Sequence, residues 1–534
     1  MDENVVFNPN QQQPASGDPV AATPDTGAVP PVAQTPVDPN SQVPVDPNAL
    51  ADQNTPVDPN VPVDPNAQVP VEGDGTTETG EVAADGTQVG IEEPPPPAGF
   101  LGGGMLKKIL IGVGALIFII VIIVIVASLN KAQPTKQVKL QWWGLWEDPA
   151  AVQSLISDFK KTHPTIDVEY VKKDPDQYRD RLTARIENGS GPDIFRYHNT
   201  WLPMIGNDLS PLTSDVISPD EFKNAYYPVM QQDLTKNGAI YGIPMDADSL
   251  ALFINPQLFD AAGVQVPTNW DQFNDAAKAL TVKTPVGKIK TAGAALGTYS
   301  NINHAPDIIS LLLVQQGVDI NKLTTFPKNE AGALSYYASF AKSPDTNVWD
   351  DTLDNSLLAF SKGNLAMYFG YSWDIFEIQK LNSNLQFKVY PVPSNQGVKT
   401  TIASYWVEGV SAKSPNQKEA MEFMHYLAQK DTAQKFYTET AKTRAFGELY
   451  PRKDLQSSLQ ENPLAYPFIK ELNDASSSFF ASNTHDGDTG INSLMNTYLQ
   501  TSVDSLTGDS GSADQAVTDL NNGVSQVLQK YGGQ

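Results

Sequence analysis

The sequence predicts an α/β protein, built as two α/β lobes that follow an N-terminal tail and one apolar segment. Short stretches in which apolar and polar residues alternate are separated by stretches with apolar residues at helical spacing, as in βαβ units. A single uncharged apolar run at 109–129 divides the chain. The 405 residues after this run have the composition of a folded protein and are enough for two or three domains.

Residues 1–106 form an acidic, proline-rich tail. They carry 16 Asp or Glu and no Lys or Arg, and the motif PVDPN begins at Pro36, Pro44, Pro56 and Pro62. Proline removes backbone donors, the acidic side chains repel one another, and there is too little apolar surface to offset the entropy of ordering. We therefore predict a disordered tail, either a solvated spacer or a docking motif for a cytoplasmic partner.

The apolar run reads ILIGVGALIFIIVIIVIVASL. A helix of this length covers about 30 Å, the thickness of the hydrocarbon core of a bilayer. The run is longer than the core of a signal peptide and begins far from the N-terminus, so we predict an uncleaved transmembrane anchor over 107–130. The chain has no cysteine, which excludes a lipid anchor on Cys and any disulfide.

The lysines near the run leave its orientation open. Lys107 and Lys108 precede it, whereas Lys131, Lys136 and Lys139 follow it. The count slightly favours a cytoplasmic C-terminal part, while the lysines nearest the membrane favour the reverse.

The charge of the chain argues against nucleic acid as a partner. The formal net charge of the chain is −25. The tail contributes −16 and Lys107 and Lys108 contribute +2, so the residues after Lys108 carry −11. No cluster of Arg or Lys with interleaved aromatic residues is present, and such a basic stripe is what nucleic-acid binders need.

The part after the run opens with a βαβ pattern. Apolar residues alternate at 138, 140 and 142, recur at helical spacing at 152, 155, 156 and 159, and alternate again at 166, 168 and 170. This order implies a parallel sheet covered by helices.

Two later helices have recognisable start signals. Thr268 and Asp271 form the pattern of a capping box before an apolar face at 270–280. Ser414 and Pro415 precede a helix whose predicted apolar face is Ala420, Phe423, Met424 and Leu427.

Five further segments follow one another in a recognisable order. They are FKKTHPTIDVEY at 159–170, GSGPDIF at 189–195, YGIPMDADSLALFINPQLFDAAGV at 241–264 with PTNWDQFNDAAKALT at 267–281, FSKGNLAMYFGYSW at 360–373, and VEGVSAKSPNQKEAMEFMHYLA at 407–428. In this order they resemble extracellular solute-binding proteins of the sugar-binding class, the maltose-binding-protein-like group of bacterial ABC importers. The resemblance spans 138–534 and covers neither the tail nor the anchor.

The resemblance implies a two-lobed periplasmic-binding-protein-like fold of type II, with the ligand cleft between the lobes. Lobe 1 would comprise 138–247 and 408–455, and lobe 2 would comprise 248–407 and 456–534, with hinge crossings near 246–248 and 405–408. Closure of the hinge on the ligand would present a closed shape to a permease. The resemblance also places the binding domain outside the cell and the tail in the cytoplasm, on a single-pass protein of the cell membrane.

Aromatic and acidic residues gather in the segments that the family places at the cleft. Sugar rings stack on aromatic planes, and their hydroxyl groups bond to carboxylates and amides. One of Trp142 and Trp143 must nevertheless face the core of an alternating strand, and Trp270 and Trp349 are predicted to be structural. The predicted ligand-binding residues are Trp143, Trp146, Glu147, Tyr197, Trp201, Asp246, Asp248, Tyr371, Trp373, Asp374, Tyr405 and Trp406.

Three of these residues match family positions segment by segment. Tyr197 stands where the family has a stacking aromatic after the GPD turn, Asp248 where it has a carboxylate that binds sugar hydroxyls, and Trp373 where it has a stacking aromatic after the motif here reading GNLAM. Where maltose-type proteins carry an acidic–basic pair, this chain has Thr200 and Trp201, so the resemblance does not imply maltodextrin as the ligand.

The common enzyme motifs are missing from the sequence. Its five histidines show no metal-site spacing, there is no cysteine nucleophile, and GDSGS at 508–512 departs from GxSxG at its last position. DGDTG at 486–490 lacks the acidic fifth and glycine sixth positions of a calcium loop. We predict a protein that is not an enzyme and that has no cofactor and no metal.

The predicted function is that of a membrane-anchored substrate-binding component of an ABC importer. It would bind a mono- or oligosaccharide between the lobes and deliver it to permease subunits. Two alternatives stay open on the sequence alone: a glycan hydrolase that uses two carboxylates, and a surface adhesin or sensor on the same fold.

Overall fold

The computed structural model of the chain describes residues 105–129, 137–320, 327–342, 347–508 and 511–531. The predicted tail lies outside these residues, apart from its last two positions, which begin a helix. Residues 130–136, between the apolar run and the first strand, also lie outside them.

The apolar run forms helix α1, Met105–Leu129. Its described side chains include an unbroken exposed stretch from Leu110 to Ile123, 14 residues long. Among the residues described, no helix was found that is long and apolar enough to cross a membrane. The structure therefore confirms a helix at this place and does not identify a transmembrane span.

The remaining elements follow in chain order. The helices are α2 Pro149–Thr162, α3 Tyr178–Glu187, α4 Leu202–Ile205, α5 Pro219–Ala225, α6 Pro228–Leu234, α7 Pro256–Ala262, α8 Trp270–Leu280, α9 Ala305–Gln315, α10 Pro327–Lys342, α11 Ser356–Ser361, α12 Ser372–Leu381, α13 Gln417–Leu427, α14 Lys430–Thr440, α15 Tyr466–Lys470, α16 Ile491–Thr507 and α17 Ala513–Lys530. The strands are β1 Val138–Gly144, β2 Ile166–Lys172, β3 Ile194–His198, β4 Leu209–Ser210, β5 Thr235–Lys236, β6 Ala239–Ile240, β7 Ile243–Pro244, β8 Asp248–Ser249, β9 Ala251–Ile254, β10 Val282–Lys283, β11 Ile289–Ala294, β12 Leu365–Gly370, β13 Lys388–Tyr390, β14 Ala403–Ser404 and β15 Trp406–Ser411.

The first sheet contains the predicted βαβ unit. Strand β1 runs parallel to β2, with Val138 opposite Ile166, and parallel to β3 on its other side. The sheet continues through β15 to β4, and β7 also pairs with β15. The parallel pairing predicted for this opening unit is confirmed. Strand β15, whose direction was not predicted, returns from the far end of the chain and pairs antiparallel with β3, Val407 opposite Tyr197.

The second sheet has the order β10-β11-β12-β9-β13. Its strands β11 and β12 are parallel, whereas β9 pairs antiparallel with both β12 and β13. Strand β9 is buried along its whole length, in keeping with its apolar sequence ALFI. The chain is thus an α/β protein with two mixed sheets.

A two-stranded ribbon lies where the chain passes from one sheet to the other. Strand β8 pairs antiparallel with β14, so that Asp248 lies opposite Ser404. The predicted lobe boundary between 247 and 248 falls at the start of β8. The predicted boundary between 407 and 408 cuts β15, because Trp406 and Val407 already pair with β3 in the first sheet.

The helices near the C-terminus divide between the two sheets. Helix α13 packs on β15 and α14 packs on α2, beside the first sheet. Helices α16 and α17 pack on each other and on α10, which follows the strands β9 and β11 of the second sheet.

The start signals were only partly correct. Helix α8 is capped by Asn269, whose side chain accepts the backbone N–H of Gln272 at 2.9 Å, and not by Thr268 with Asp271. Thr268 instead donates to the side chain of Gln272. Helix α13 begins after Asn416, and its four predicted apolar residues are buried.

Candidate functional site

A cavity of about 450 Å³, here called the central cavity, lies beside the ribbon of β8 and β14. Its size is in the usual range for small-molecule sites. The chain passes between the two sheets at β8 and again at β14, and residues before and after each passage contribute to the wall of the cavity. The lining residues are Trp146, Glu147, Asp246, Ala247, Asp248, Asn303, Leu357, Ser372, Trp373, Asp374, Phe376, Glu377, Ser404, Trp406, Arg444, Phe446, Gly447, Glu448, Leu449, Asn483 and His485.

A second groove of about 440 Å³ lies along α7 and α8. It is lined by Val264, Gln265, Val266, Thr268, Gln272, Asp275, Ala276 and Ala279. This lining contains one carboxylate and no aromatic ring, so it offers little to a polar ring-shaped ligand. The central cavity is the better candidate for a functional site.

Trp146 and Glu147 reach the cavity because they follow directly after strand β1. In open α/β sheets, ligands bind beyond the carboxyl ends of the strands. The turn is fixed from its far side, since Asp148 caps α2 by accepting the backbone N–H of Ala150 at 2.8 Å.

Ser372, Trp373 and Asp374 reach the cavity because α12 begins there. The backbone N–H of Ser372 donates to Asp248 Oδ2 at 2.9 Å, and its hydroxyl donates to the same oxygen. Asp374 Oδ2 accepts the backbone N–H of Tyr371 at 3.0 Å. The first turn of α12 is therefore bonded both to itself and to the ribbon.

Aromatic rings form two separate faces of the cavity. Trp146 packs edge-to-face on Trp406, with ring centroids 5.4 Å apart, and is 38% exposed. Trp373 lies parallel to Tyr371 at 4.4 Å, and we call this pair the Trp373 platform. Aromatic faces held in this way suit the apolar C–H faces of a sugar ring.

A buried charge network supports the cavity wall at Glu147. Arg196, with no exposed surface, pairs with Glu147 and with Glu408, the latter through Nε–H to Oε1 at 2.8 Å. Trp142 Nε1 donates to the other oxygen of Glu408 at 2.9 Å. Burial raises the pKa of Glu408, and Arg196 opposes that rise. The network holds Glu147 in one orientation at the edge of the cavity.

Asp248, in the ribbon, and Asp246, two residues before it, both have pKa values raised above the ordinary value for aspartate. Burial and then the charge of Glu448 raise the pKa of Asp246 to about 7, against the opposing effect of Arg196. Burial also raises the pKa of Asp248 well above its ordinary value, although Ser372 and Ser249 donate hydrogen bonds to it. Such carboxyl groups can accept hydrogen bonds from ligand hydroxyls, and when protonated they can also donate one.

Arg444 is paired within the cavity wall. Its Nη2 lies 2.6 Å from Glu448 Oε1, and its guanidinium carbon lies 5.0 Å from the ring centre of Phe376. The positive charge of Arg444 is therefore already balanced by the carboxylate of Glu448 in the same cavity wall.

The structure brings seven of the predicted ligand-binding residues to the central cavity. They are Trp146, Glu147, Asp246, Asp248, Trp373, Asp374 and Trp406. Tyr371 lies behind Trp373 and its hydroxyl donates to Asp307 at 2.8 Å, whereas Tyr405 donates to Asp233 at 2.7 Å. These two tyrosines support the wall from outside the lining.

Trp143, Trp201 and Tyr197 also lie outside the lining. Trp143 donates through Nε1 to Gln141 at 2.8 Å, with the ammonium of Lys173 3.9 Å above its ring. Trp201 is fully buried and packs on Trp406, with ring centroids 5.8 Å apart. Their side chains point away because successive residues of a strand or turn face different ways.

Tyr197 is fully buried within the first sheet. A Cβ atom on Gly242 would lie 2.7 Å from its hydroxyl, and one on Gly409 would lie 3.0 Å from its ring. These two glycines make room for the phenol in the packed layer and not in the cavity.

Several lining residues had no signal in the sequence. Two of them are nevertheless near Trp373 in sequence, since Ser372 precedes it and Phe376 lies one helical turn after it. Phe446, Asn483 and His485 come from loops distant along the chain. Asn483 and His485 have left-handed backbone conformations, with φ of 55° and 50°, which are uncommon for residues other than glycine and concentrate at functional sites.

No group of three or more His, Asp or Glu side chains within the described ranges is arranged to hold a metal ion. The acidic loop at 486–490 has another role. Asp486 Oδ2 accepts the backbone N–H of Asn492 at 2.7 Å, and its Oδ1 accepts the hydroxyl of Ser493 at 2.6 Å. Asp486 thus accepts hydrogen bonds at the N-terminus of α16, where backbone N–H groups have no partner within the helix.

Residues 143–434 match the family described as bacterial extracellular solute-binding protein. An uncharacterised lipoprotein in the oleD 5′ region of Streptomyces antibioticus is 24% identical over 304 residues, which are 52% of this chain and 63% of that protein. A multiple sugar-binding protein of Streptococcus mutans is 22% identical over 309 residues, which are 54% of this chain and 71% of that protein. The chain thus spans less than two thirds of the first of these relatives.

Solved structures share the fold. The GacH receptor of Streptomyces glaucescens, known unliganded and in complex with acarbose, superposes with a TM-score of 0.57 at 20% identity. The superposition covers 74% of this chain and 99% of the receptor. The sequence prediction of an α/β fold of the periplasmic-binding type is confirmed.

Proposed function

Because this chain belongs to the bacterial extracellular solute-binding protein family, we propose that it binds a carbohydrate in the central cavity and passes it to an ABC permease. The observation that carries the proposal is the combination of the Trp373 platform with the Trp146–Trp406 pair in one cavity that also contains carboxylates. Stacking faces with hydroxyl-binding groups between them are what a sugar ring requires.

The proposed contacts are divided between the two aromatic faces. Trp373 and Trp146 would stack on sugar rings, and Glu147, Asp246 and Asp248 would accept their hydroxyl groups. The comparisons support this choice of ligand. One sequence relative is described as a multiple sugar-binding protein, and one solved structure of similar fold is a receptor in complex with acarbose.

Binding would close the two lobes about the ribbon. The segment after β1 of the first sheet supplies Trp146 and Glu147, and the segment after β12 of the second sheet supplies Trp373. A ligand that contacts both favours the closed arrangement by its differential affinity for that state. A permease would recognise this closed form.

We also propose that α1 anchors the protein in the cell membrane. The run at 109–129 is uncharged, and the described side chains from Leu110 to Ile123 are apolar or glycine and exposed on all sides of the helix. An all-round apolar helix needs an apolar environment. The anchor would keep the binding domain near its permease and raise its effective concentration there.

The orientation would place the binding domain outside the cell. Protease added to intact cells should cleave the domain after residue 137 while a cytoplasmic control protein stays whole. A protected binding domain would contradict this orientation.

Calorimetry against a panel of mono- and oligosaccharides tests the binding proposal. We expect at least one sugar to bind with micromolar or tighter affinity and no sugar to be hydrolysed. If no sugar in the panel released or absorbed heat, the carbohydrate proposal would be contradicted. Hydrolysis of an oligosaccharide by the purified protein would favour a glycan hydrolase, which membership of a family of binding proteins does not support.

A further inference from the structure

His304 lies directly before α9, behind the central cavity, and is 1% exposed. Its Nε2 lies 2.8 Å from Asp374 Oδ2, and its Nδ1 lies 2.8 Å from the hydroxyl oxygen of Ser482. A second carboxylate, Asp307, lies 3.9 Å from Nδ1. The imidazole therefore connects three segments that are far apart in the sequence.

One of these connections leads to the Trp373 platform. Asp374 Oδ2 accepts hydrogen bonds from His304, from the Tyr368 hydroxyl at 2.9 Å and from the Tyr371 backbone N–H at 3.0 Å. The Tyr371 ring supports Trp373 at 4.4 Å, and its hydroxyl donates to Asp307. Both the backbone and the ring of Tyr371 are thus bonded to carboxylates that face His304.

The other connection leads to the loop at 482–485. The backbone N–H of Ser482 donates to Asp307 at 3.1 Å, while its hydroxyl faces His304. The next residues along the chain, Asn483 and His485, line the cavity. A change at His304 would therefore affect both α12 and this loop.

We propose that His304 is a positioning residue of the sugar site, whose imidazolium ties Asp374 to Ser482 and thereby fixes the ring of Trp373. It contacts no ligand itself. The inference rests on the proposed function only in treating Trp373 as a ligand-stacking ring.

The protonation of His304 follows from its neighbours. A carboxylate only accepts, so Nε2 donates to Asp374, and an imidazolium can donate from Nδ1 as well. Burial by itself lowers the pKa of His304, but Asp374 and then Asp307 raise it above the ordinary value for histidine. The other titratable groups that face this cluster, Tyr368 and Tyr371, have pKa values raised well above normal by burial and stay neutral.

The sign of the pH dependence is therefore defined. The charged form of His304 persists below its raised pKa and is lost as the pH rises through it. Loss of that proton turns Nδ1 into an acceptor for the Ser482 hydroxyl and removes the positive charge that strengthens both hydrogen bonds, so the link between α12 and the loop at 482–485 weakens. We therefore expect the environment of the Trp373 ring to change when His304 loses its proton.

His198 provides a matched control on the other side of the cavity. It is 1% exposed, like His304, but its ring nitrogens face the hydroxyls of Thr200 and Ser404 and no carboxylate. Burial lowers its pKa to about 3, so it stays neutral over the same range of pH.

The test follows Trp373 directly and needs no ligand. The full-length chain, labelled with 5-fluorotryptophan, is titrated from about pH 5 to about pH 9 and observed by ¹⁹F NMR. The signal of Trp373 is assigned with Trp373→Phe. We expect it to shift with a midpoint above the ordinary pKa of histidine, to stop titrating in His304→Gln, and to titrate unchanged in His198→Gln.

Asp246 lines the same cavity and has a pKa of about 7. The titration is therefore repeated in Asp246→Asn, where the Trp373 midpoint should persist. A Trp373 signal that does not titrate in the wild-type chain, or that still titrates in His304→Gln, would overturn the proposal.

Ser482→Ala offers a second variant if His304→Gln does not fold. It keeps the imidazole and removes the acceptor of Nδ1, so the midpoint should move to lower pH, and an unchanged midpoint would also overturn the proposal. Since no sugar is present, these outcomes are independent of whether the chain binds carbohydrate.

Discussion

The indole of Trp373 lies parallel to the phenol ring of Tyr371, at a centroid distance of 4.4 Å and an angle of 13°. Tyr371 has no exposed surface, whereas Trp373 is half-buried and lines the central cavity. One face of the indole is therefore supported by a rigid partner, and the ring is available to a ligand without further ordering.

Trp373→Ala should lower the affinity for the sugar identified by calorimetry by about tenfold or more, since a rigid aromatic anchor is removed. Trp143→Phe is the matched control, because Trp143 is buried against Gln141 and Lys173, outside the lining. Its affinity should stay within about twofold of wild type. If instead Trp143→Phe lowered the affinity and Trp373→Ala did not, Trp143 would be a ligand-binding residue, as predicted from the sequence, and Trp373 would not.

Arg196→Met should destabilise the fold by about 3–5 kcal/mol, because Glu147 and Glu408 would be left buried without their cation. Urea unfolding followed by far-UV circular dichroism measures the change. Adding Glu408→Gln should recover part of the loss. Lys418→Met, which breaks an exposed pair with Glu422, should change the stability little. Equal effects of the two single variants would contradict the network described here.

Asp246→Asn should make the protein less sensitive to alkaline pH. The folded-state pKa of Asp246 is about 7, above its ordinary value of 3.8, so the folded state holds more protons and this group lowers the free energy of unfolding as the pH rises between those values. The variant lacks that loss, and its melting temperature should exceed that of wild type by roughly 2–4 °C at pH 8 but not at pH 4.

Thermal scans at both pH values check this prediction. Asp233, whose pKa burial raises to about 6, contributes the same sign in both proteins and cancels in the difference. A difference in melting temperature that is the same at pH 4 and pH 8 would show that Asp246 does not titrate in this range.

Removing residues 1–136 should release the protein from membranes without changing its sugar affinity, because the apolar run is removed and the lining of the central cavity begins at Trp146. Membrane fractions washed with alkaline carbonate show where each form resides, and calorimetry compares their affinities. Full-length protein in the soluble fraction would contradict the anchor.

Much of the fold could be predicted from local patterns. The alternation at 138–142 and the helical spacing at 152–159 correctly gave β1 and α2, because both depend on the periodicity of one segment. Local patterns made no prediction for the direction of β15. Its direction depends on where the chain re-enters the sheet, some 200 residues after β3, and no local pattern records that.

The sequence by itself determined the α/β class, the apolar run and the supply of aromatic and acidic residues for a sugar site, since these depend on composition and local periodicity. The tertiary structure alone decided which of those residues meet. Trp146, Trp373 and Asp248 line one cavity, whereas Tyr197 is enclosed by Gly242 and Gly409. The reason is physical: a side chain's exposure and partners depend on packing between distant segments, as His304 shows by joining Asp374 to Ser482.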